Sequence, residues 1–189
     1  MKKIKAKDII VPAAALLVIC LVATALLAFT NSVTAKKILE NSALKENSSR
    51  ALVLPEATEF SEVKTLENGV TWCVGTKDSN EVGYVFTSGA KGYGGTVSVM
   101  VGIDKDGVIT GIEILSHDET PGLGANSTKP EFKDRFKGKS GTLTVDKTSN
   151  DGQNVQAITA ATITSKAVVS AVNAATEAFG QIKGGALNG

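Results

Sequence analysis

A chain of 189 residues has room for one domain of ordinary size and a surplus. Of its 20 Lys and Arg and 19 Asp and Glu, the first eight residues hold four and one, which leaves a near-balance of 16 and 18. With aromatics at 5%, that excludes the basic, stacking surface that nucleic acid needs, and one histidine with two cysteines excludes a zinc-type ligand set.

The surplus lies at the N-terminus. "MKKIKAKD", residues 1–8, reads as a basic cytoplasmic tail. An apolar run follows, uncharged for the 21 residues Ile9 to Phe29. At 1.5 Å per residue a helix of that length spans roughly 30 Å, so residues 9–30 are assigned as a transmembrane helix. Pro12 is expected in its first turn, where a missing N–H is tolerated. Val33, Thr34 and Ala35 also fit the small-x-small pattern of a cleaved leader, but the apolar run exceeds the usual 7–15 residues, which favours an uncleaved anchor. This places the rest of the chain outside the cytoplasm. Cys20 then lies in the span and Cys73 in the exported part, so the two cannot pair, and Cys73 reads as a buried strand residue.

Residues 31–58 read as a juxtamembrane linker or helix, with Pro55 disfavouring helix at Leu54. Residues 59–189 form the folded domain. "VTWCVGT" and "VGYVFTS" are β-type runs around the turn "KDSNE". "TVSVMVGI" places Val97, Val99, Val101 and Ile103 on one face. After the turn "DKDG", "VITGIEILS" is expected to place Val108, Thr110, Ile112 and Ile114 on one face of the second arm of an antiparallel hairpin. "KPEFKDRF" reads as a short helix or turn with Phe132 and Phe136 four apart, and "GTLTVD" as a short strand. A helix runs from about Thr162 to Phe179, with Val168, Val172, Ala175 and Phe179 at helical spacing, before a frayed tail "KGGALNG". The fold class is α+β: one transmembrane helix, then a mostly antiparallel sheet with flanking helices.

Several motifs fail on their spacing. "DKDG" lacks the later carboxylates of a calcium loop, and "GYGG" and "GLGANS" do not complete a dinucleotide fingerprint. No positioned partner can be read beside His117. Two stretches remain. "SHDETPGLGA" packs Pro121, Gly122 and Gly124 behind an acidic pair, which suits a loop aiming N–H groups at a planar ligand and equally an ordinary surface turn. "AITAATITSKAVVSAV" crowds three threonines and a serine where a helix starts. The free N–H groups and dipole there favour a phosphate, and the small Ala160 and Ala161 admit a bulky ligand; the plainer alternative is that Thr159 or Thr162 caps the helix.

The anchor, "GYGGTVSVMVGIDKDGVITGIEILSHDETPGLGA" and "QAITAATITSKAVVSAV" together resemble the G subunit of the Rnf electron-transport complex; the C subunit of the sodium-pumping quinone reductase is a close relative. The resemblance covers nearly the whole chain. It implies an FMN-binding domain whose FMN is joined by a phosphoester to a threonine, here Thr162, by a separate flavin transferase that uses FAD. It places Thr159, Ala160, Ala161, Thr164 and Ser165 around the phosphate, with the hydroxyls of Thr164 and Ser165 on its oxygens. The loop Glu119, Thr120, Pro121, Gly122, Leu123, Gly124 would border the flavin ring. Two positions depart from the family motif: Gln156 stands where an acid is usual, and Ala160 where glycine is usual. The implied function is a membrane-anchored electron-transfer subunit, partnered by other membrane and peripheral subunits of a ferredoxin:NAD oxidoreductase coupled to sodium or proton translocation. The alternatives are the quinone-reductase subunit and an anchored extracytoplasmic binding or structural module without flavin.

Overall fold

The computed structural model describes residues 6–184; the start of the basic tail and the last five residues of the chain lie outside them. The chain divides into two compact units, Met1–Leu44 and Lys45–Gly189. A single helix, α1 (Ala6–Val53), runs through the boundary.

The described residues of the first unit all lie in α1. Its segment Ile10–Ala35 has a mean hydropathy of 2.8, is unburied within the protein, and is long enough to cross a bilayer. Polar side chains here return their hydrogen bonds to their own helix. Thr24 donates to the Cys20 carbonyl at 2.7 Å, Thr30 to Leu26 at 2.8 Å and Thr34 to Thr30 at 2.7 Å. Each of these hydroxyls is thereby satisfied within its own helix, as a hydrocarbon surrounding would require. Pro12 is not in the first turn as expected. The helix already runs from Ala6, so Pro12 sits inside it and removes one backbone bond.

The second unit is built on an antiparallel sheet. Its strands are β1 (Glu59–Phe60), β2 (Lys64–Thr65), β3 (Thr71–Lys77), β4 (Asn80–Lys91), β5 (Thr96–Asp104) and β6 (Ile109–Ser116). Their order is β1-β3-β4-β5-β6, with β2 also paired to β3. A short helix α2 (Pro130–Lys133), a parallel pair β7 (Thr144–Asp146) and β8 (Asn154–Gln156), and the long helix α3 (Thr162–Lys183) follow.

The sheet is covered on both faces, so its central strands are apolar on both sides. On one, Tyr84, Phe86, Val97, Val99, Val101 and Ile103 meet Val168, Val172 and Ala175 of α3 in the main core. Phe179 closes this face edge-on to Tyr84, with ring centroids 5.6 Å apart. On the other, Val53, Leu54 and Ala57 cover Cys73, Val85 and Met100. Burial pushes the Cys73 thiol above its ordinary range; Arg50 opposes this and Glu46 adds to it, so the side chain behaves as a core residue rather than a nucleophile.

The end of α1 reaches the sheet because three strands offer a glycine beneath it, Gly75, Gly83 and Gly102; Gly111 of β6 lies there too, with room for a Cβ. A Cβ on Gly83 would stand 3.0 Å from Leu54 Cδ1, and one on Gly102 would collide with the Val53 carbonyl. Thr110 donates its hydroxyl to that same carbonyl, an orphan acceptor at the helix end. This contact overturns the expected alternation in β6. Register shifts between Gly102 and Ile103, where Ile103 pairs with Ile109, so Thr110 turns to the α1 side and Ile109 joins Ile112 and Ile114 in the core.

Candidate functional site

Three segments converge at the start of α3. The first is the turn between β4 and β5, "GYGG", closed by the Gly92 N–H donating to the Gly95 carbonyl at 2.8 Å. The second is the loop after β6, Glu119 to Gly124, which continues into a 3₁₀ turn over Gly124–Thr128. The third is the approach to α3 itself, Ala160 to Thr164. Between them lies an open cavity of about 580 Å³, lined by Tyr93, Glu119, Thr120, Leu123, Gly124 and residues 160–164. That volume falls within the range of cofactor sites.

The start of α3 is uncapped by any side chain. Its N-cap is Ala161, among the poorer residues for that position, and neither Thr159 nor Thr162 fills the role. Replacing a good cap by alanine costs about 0.5–2 kcal/mol. The first-turn N–H groups and the positive end of a 22-residue helix therefore face the cavity without a protein acceptor from a cap. Thr162 sits in that wall. Just before it, Ala160 has φ +60°, the left-handed conformation that a side chain disfavours. Glycine at this position would adopt it freely.

Glu119 ties the three segments together. It is 5% exposed. It accepts hydrogen bonds from the Thr164 hydroxyl and, at 3.0 Å, from the Gly94 N–H. Burial pushes its carboxyl upward. The hydrogen bonds from Thr164, Gly94 and Tyr93, with the nearby His117, outweigh that and hold it below the usual carboxylate range. His117 Nδ1 in turn accepts the Glu119 N–H at 3.2 Å. Gly124 is small of necessity, since a Cβ there would stand 2.5 Å from both Glu119 Oε2 and Thr164 Oγ1.

The structure does not gather every expected site residue. Glu119, Thr120, Leu123, Gly124, Ala160, Ala161, Thr162 and Thr164 line the cavity; Pro121 and Gly122 are exposed in the same loop but outside the lining. Ser165 is fully buried; its hydroxyl accepts the Ile158 N–H at 2.9 Å and donates to the Ala161 carbonyl at 3.0 Å, so it shapes the turn rather than facing a ligand. The Thr164 hydroxyl is likewise committed to Glu119. Thr159 and Gln156 line a second cavity of about 370 Å³ with Lys129, Glu131 and Arg135. There Arg135 donates to the Gln156 carbonyl at 2.6 Å. Sequence reasoning missed Tyr93 and Ile163, which stand 73% and 54% exposed at the cavity. "GYGG" held the signal, but as a tight turn against Glu119 rather than a dinucleotide loop.

Comparison with known proteins identifies the family. Residues 92–177 match the FMN-binding domain family, a range that spans all three cavity segments, and residues 1–51 match the RnfG N-terminal region. The chain is 33% identical over 171 residues to the G subunit of the proton-translocating ferredoxin:NAD(+) oxidoreductase complex of Clostridium ljungdahlii, covering 90% of this chain and 91% of that one. It is 39% identical to the Na(+)-translocating counterpart of Acetobacterium woodii, covering 87% and 88%. Among solved structures, the C subunit of the Na(+)-translocating NADH-quinone reductase of Parabacteroides distasonis superimposes with a TM-score of 0.51 at 28% identity, over 60% of this chain and 61% of that one. NqrC of Shewanella oneidensis, at 21% identity and a TM-score of 0.52, shares the fold over 67% of this chain and 69% of that one. With relatives above 30% identity matched over nearly their whole length, the chain belongs to the G-subunit family of Rnf-type ion-translocating oxidoreductase complexes and carries that family's FMN-binding domain.

Proposed function

We propose that this protein is the membrane-anchored flavin subunit of an Rnf-type ferredoxin:NAD oxidoreductase, with FMN held as a phosphoester of Thr162. The observation that carries the reading is the cavity at the uncapped start of α3, with Thr162 in its wall. A phosphate esterified there meets first-turn N–H groups and the helix dipole, which offset its charge. Backbone donors are the natural holders of its oxygens, because the Thr164 and Ser165 hydroxyls already have partners. Leu123, Ile163 and Tyr93 supply the apolar surface that a flat aromatic ring requires. The bound FMN supplies the redox chemistry. The residues around it hold its phosphate, exclude water from one side and fix the local charge.

Attachment balances as a transfer from FAD. The Thr162 hydroxyl oxygen forms the new bond to the flavin-side phosphorus, its proton leaves, and AMP departs. A flavin transferase catalyses the step. The left-handed Ala160 makes this stretch costlier to form than the glycine version. The four lysines of residues 1–8 hold the N-terminus in the cytoplasm, residues 9–30 span the membrane, residues 31–58 lead out of it, and residues 59–189 form an extracytoplasmic FMN domain. FMN held here would exchange electrons with the other polypeptides of the complex, coupled to sodium or proton movement. The test is peptide mass spectrometry of the chain co-expressed with a flavin transferase. The peptide containing Thr162 gains the mass of FMN less water; an unmodified peptide beside an active transferase contradicts the reading.

A further inference from the structure

Glu119 is the one charged residue among the described residues that line the cavity; no lysine or arginine stands in the wall. Its burial is close to complete, and three donors on two different segments fix its position. A carboxylate held this way cannot swing to solvent when the charge beside it changes. At short range in a partly desolvated wall, such a fixed charge acts far more strongly than it would in water. We propose that the Glu119 carboxylate is a fixed negative charge that lowers the reduction potential of the flavin bound in this cavity. The inference rests on the reading that FMN occupies this cavity from Thr162.

The sign of the effect follows from charge. Reduction adds electrons to the ring, and a buried anion in the wall opposes that addition. The α3 dipole favours the phosphate at its own end of the cavity, and its effect falls off within the first turn. His117, the one compensating group beside Glu119, lies outside the residues that line the cavity, its Nδ1 accepting the Glu119 N–H. Thr164 and the Gly94 N–H share part of the carboxylate's charge without cancelling it. Glu119 is therefore a positioning residue in two senses: it locks the "GYGG" turn to the first turn of α3, and it sets the field that the ring experiences.

The experiment is spectroelectrochemical titration of the flavin in the full-length, flavin-loaded protein in detergent, comparing wild type with Glu119→Gln and Glu119→Asp. The midpoint shifts upward in Glu119→Gln and returns toward wild type in Glu119→Asp. An unchanged or lowered midpoint in Glu119→Gln overturns the proposal. Thr164→Val provides a second arm of opposite sign, because it removes a hydrogen bond and leaves the charge. Its midpoint falls if the proposal holds, and a rise counts against it even where Glu119→Gln takes up no flavin. Thr162→Val, scored for covalent flavin, keeps the two readings apart. Flavin retained covalently in that variant sinks the site assignment, whereas flavin lost from it with no midpoint response to Glu119 or Thr164 sinks only the charge effect.

Discussion

Ala160 carries a side chain in a conformation that disfavours one, directly before the helix that holds Thr162. Relieving a left-handed alanine gains about 1–2 kcal/mol, and glycine gives back roughly 0.5–1 kcal/mol as chain entropy. Ala160→Gly is therefore expected to stabilise the domain by about 1 kcal/mol in thermal or denaturant unfolding. Glu119 makes a pH-dependent contribution. Its folded carboxyl lies below its ordinary value of 4.5, so folding favours the ionised form. That stabilisation is complete above the ordinary value and is lost as pH falls through the folded one. Glu119→Gln is expected to be less stable than wild type near neutral pH, with the gap narrowing on acidification below about pH 4.5. Parallel unfolding curves at two pH values check it. Gly124→Ala is expected to lose about 1–3 kcal/mol and its flavin together, since the new methyl would strike both Glu119 and Thr164.

At the scale of elements, the long central strands and α3 were legible because their apolar residues repeat with clear periods over many positions. The failures have particular causes. Thr110 sits at a register shift, and alternation alone cannot show that a helix-end carbonyl draws one side chain to the opposite face. Strands β1, β2 and β8 have two or three residues each, too few to carry a period. The row of strand glycines makes sense only once the end of α1 is seen lying on it. Gly102→Ala is accordingly expected to cost about 1–3 kcal/mol by displacing Val53 and breaking its bond from Thr110. Differential scanning calorimetry would register it as a lower transition for the second unit.

For the whole molecule, the order of features along the chain was readable: a basic start, an apolar run, a β-rich domain and a hydroxyl-rich helix start. The cavity was readable only in part. Its Thr162 wall and the Glu119–Gly124 loop each left a local signature, whereas the "GYGG" turn signalled only a tight turn, and tertiary folding brings its Tyr93 to the site. Ser165 shows the converse, a hydroxyl in the right stretch that folding turns inward. The proposed function depends on one bond, between the Thr162 oxygen and a flavin phosphate. It is tested most directly by flavin fluorescence of the denatured protein band, for wild type and Thr162→Val, each co-expressed with a flavin transferase shown active on another target. A fluorescent wild-type band and a dark Thr162→Val band are the predicted pair. A dark wild-type band, or a Thr162→Val band that stays fluorescent, would contradict the assignment.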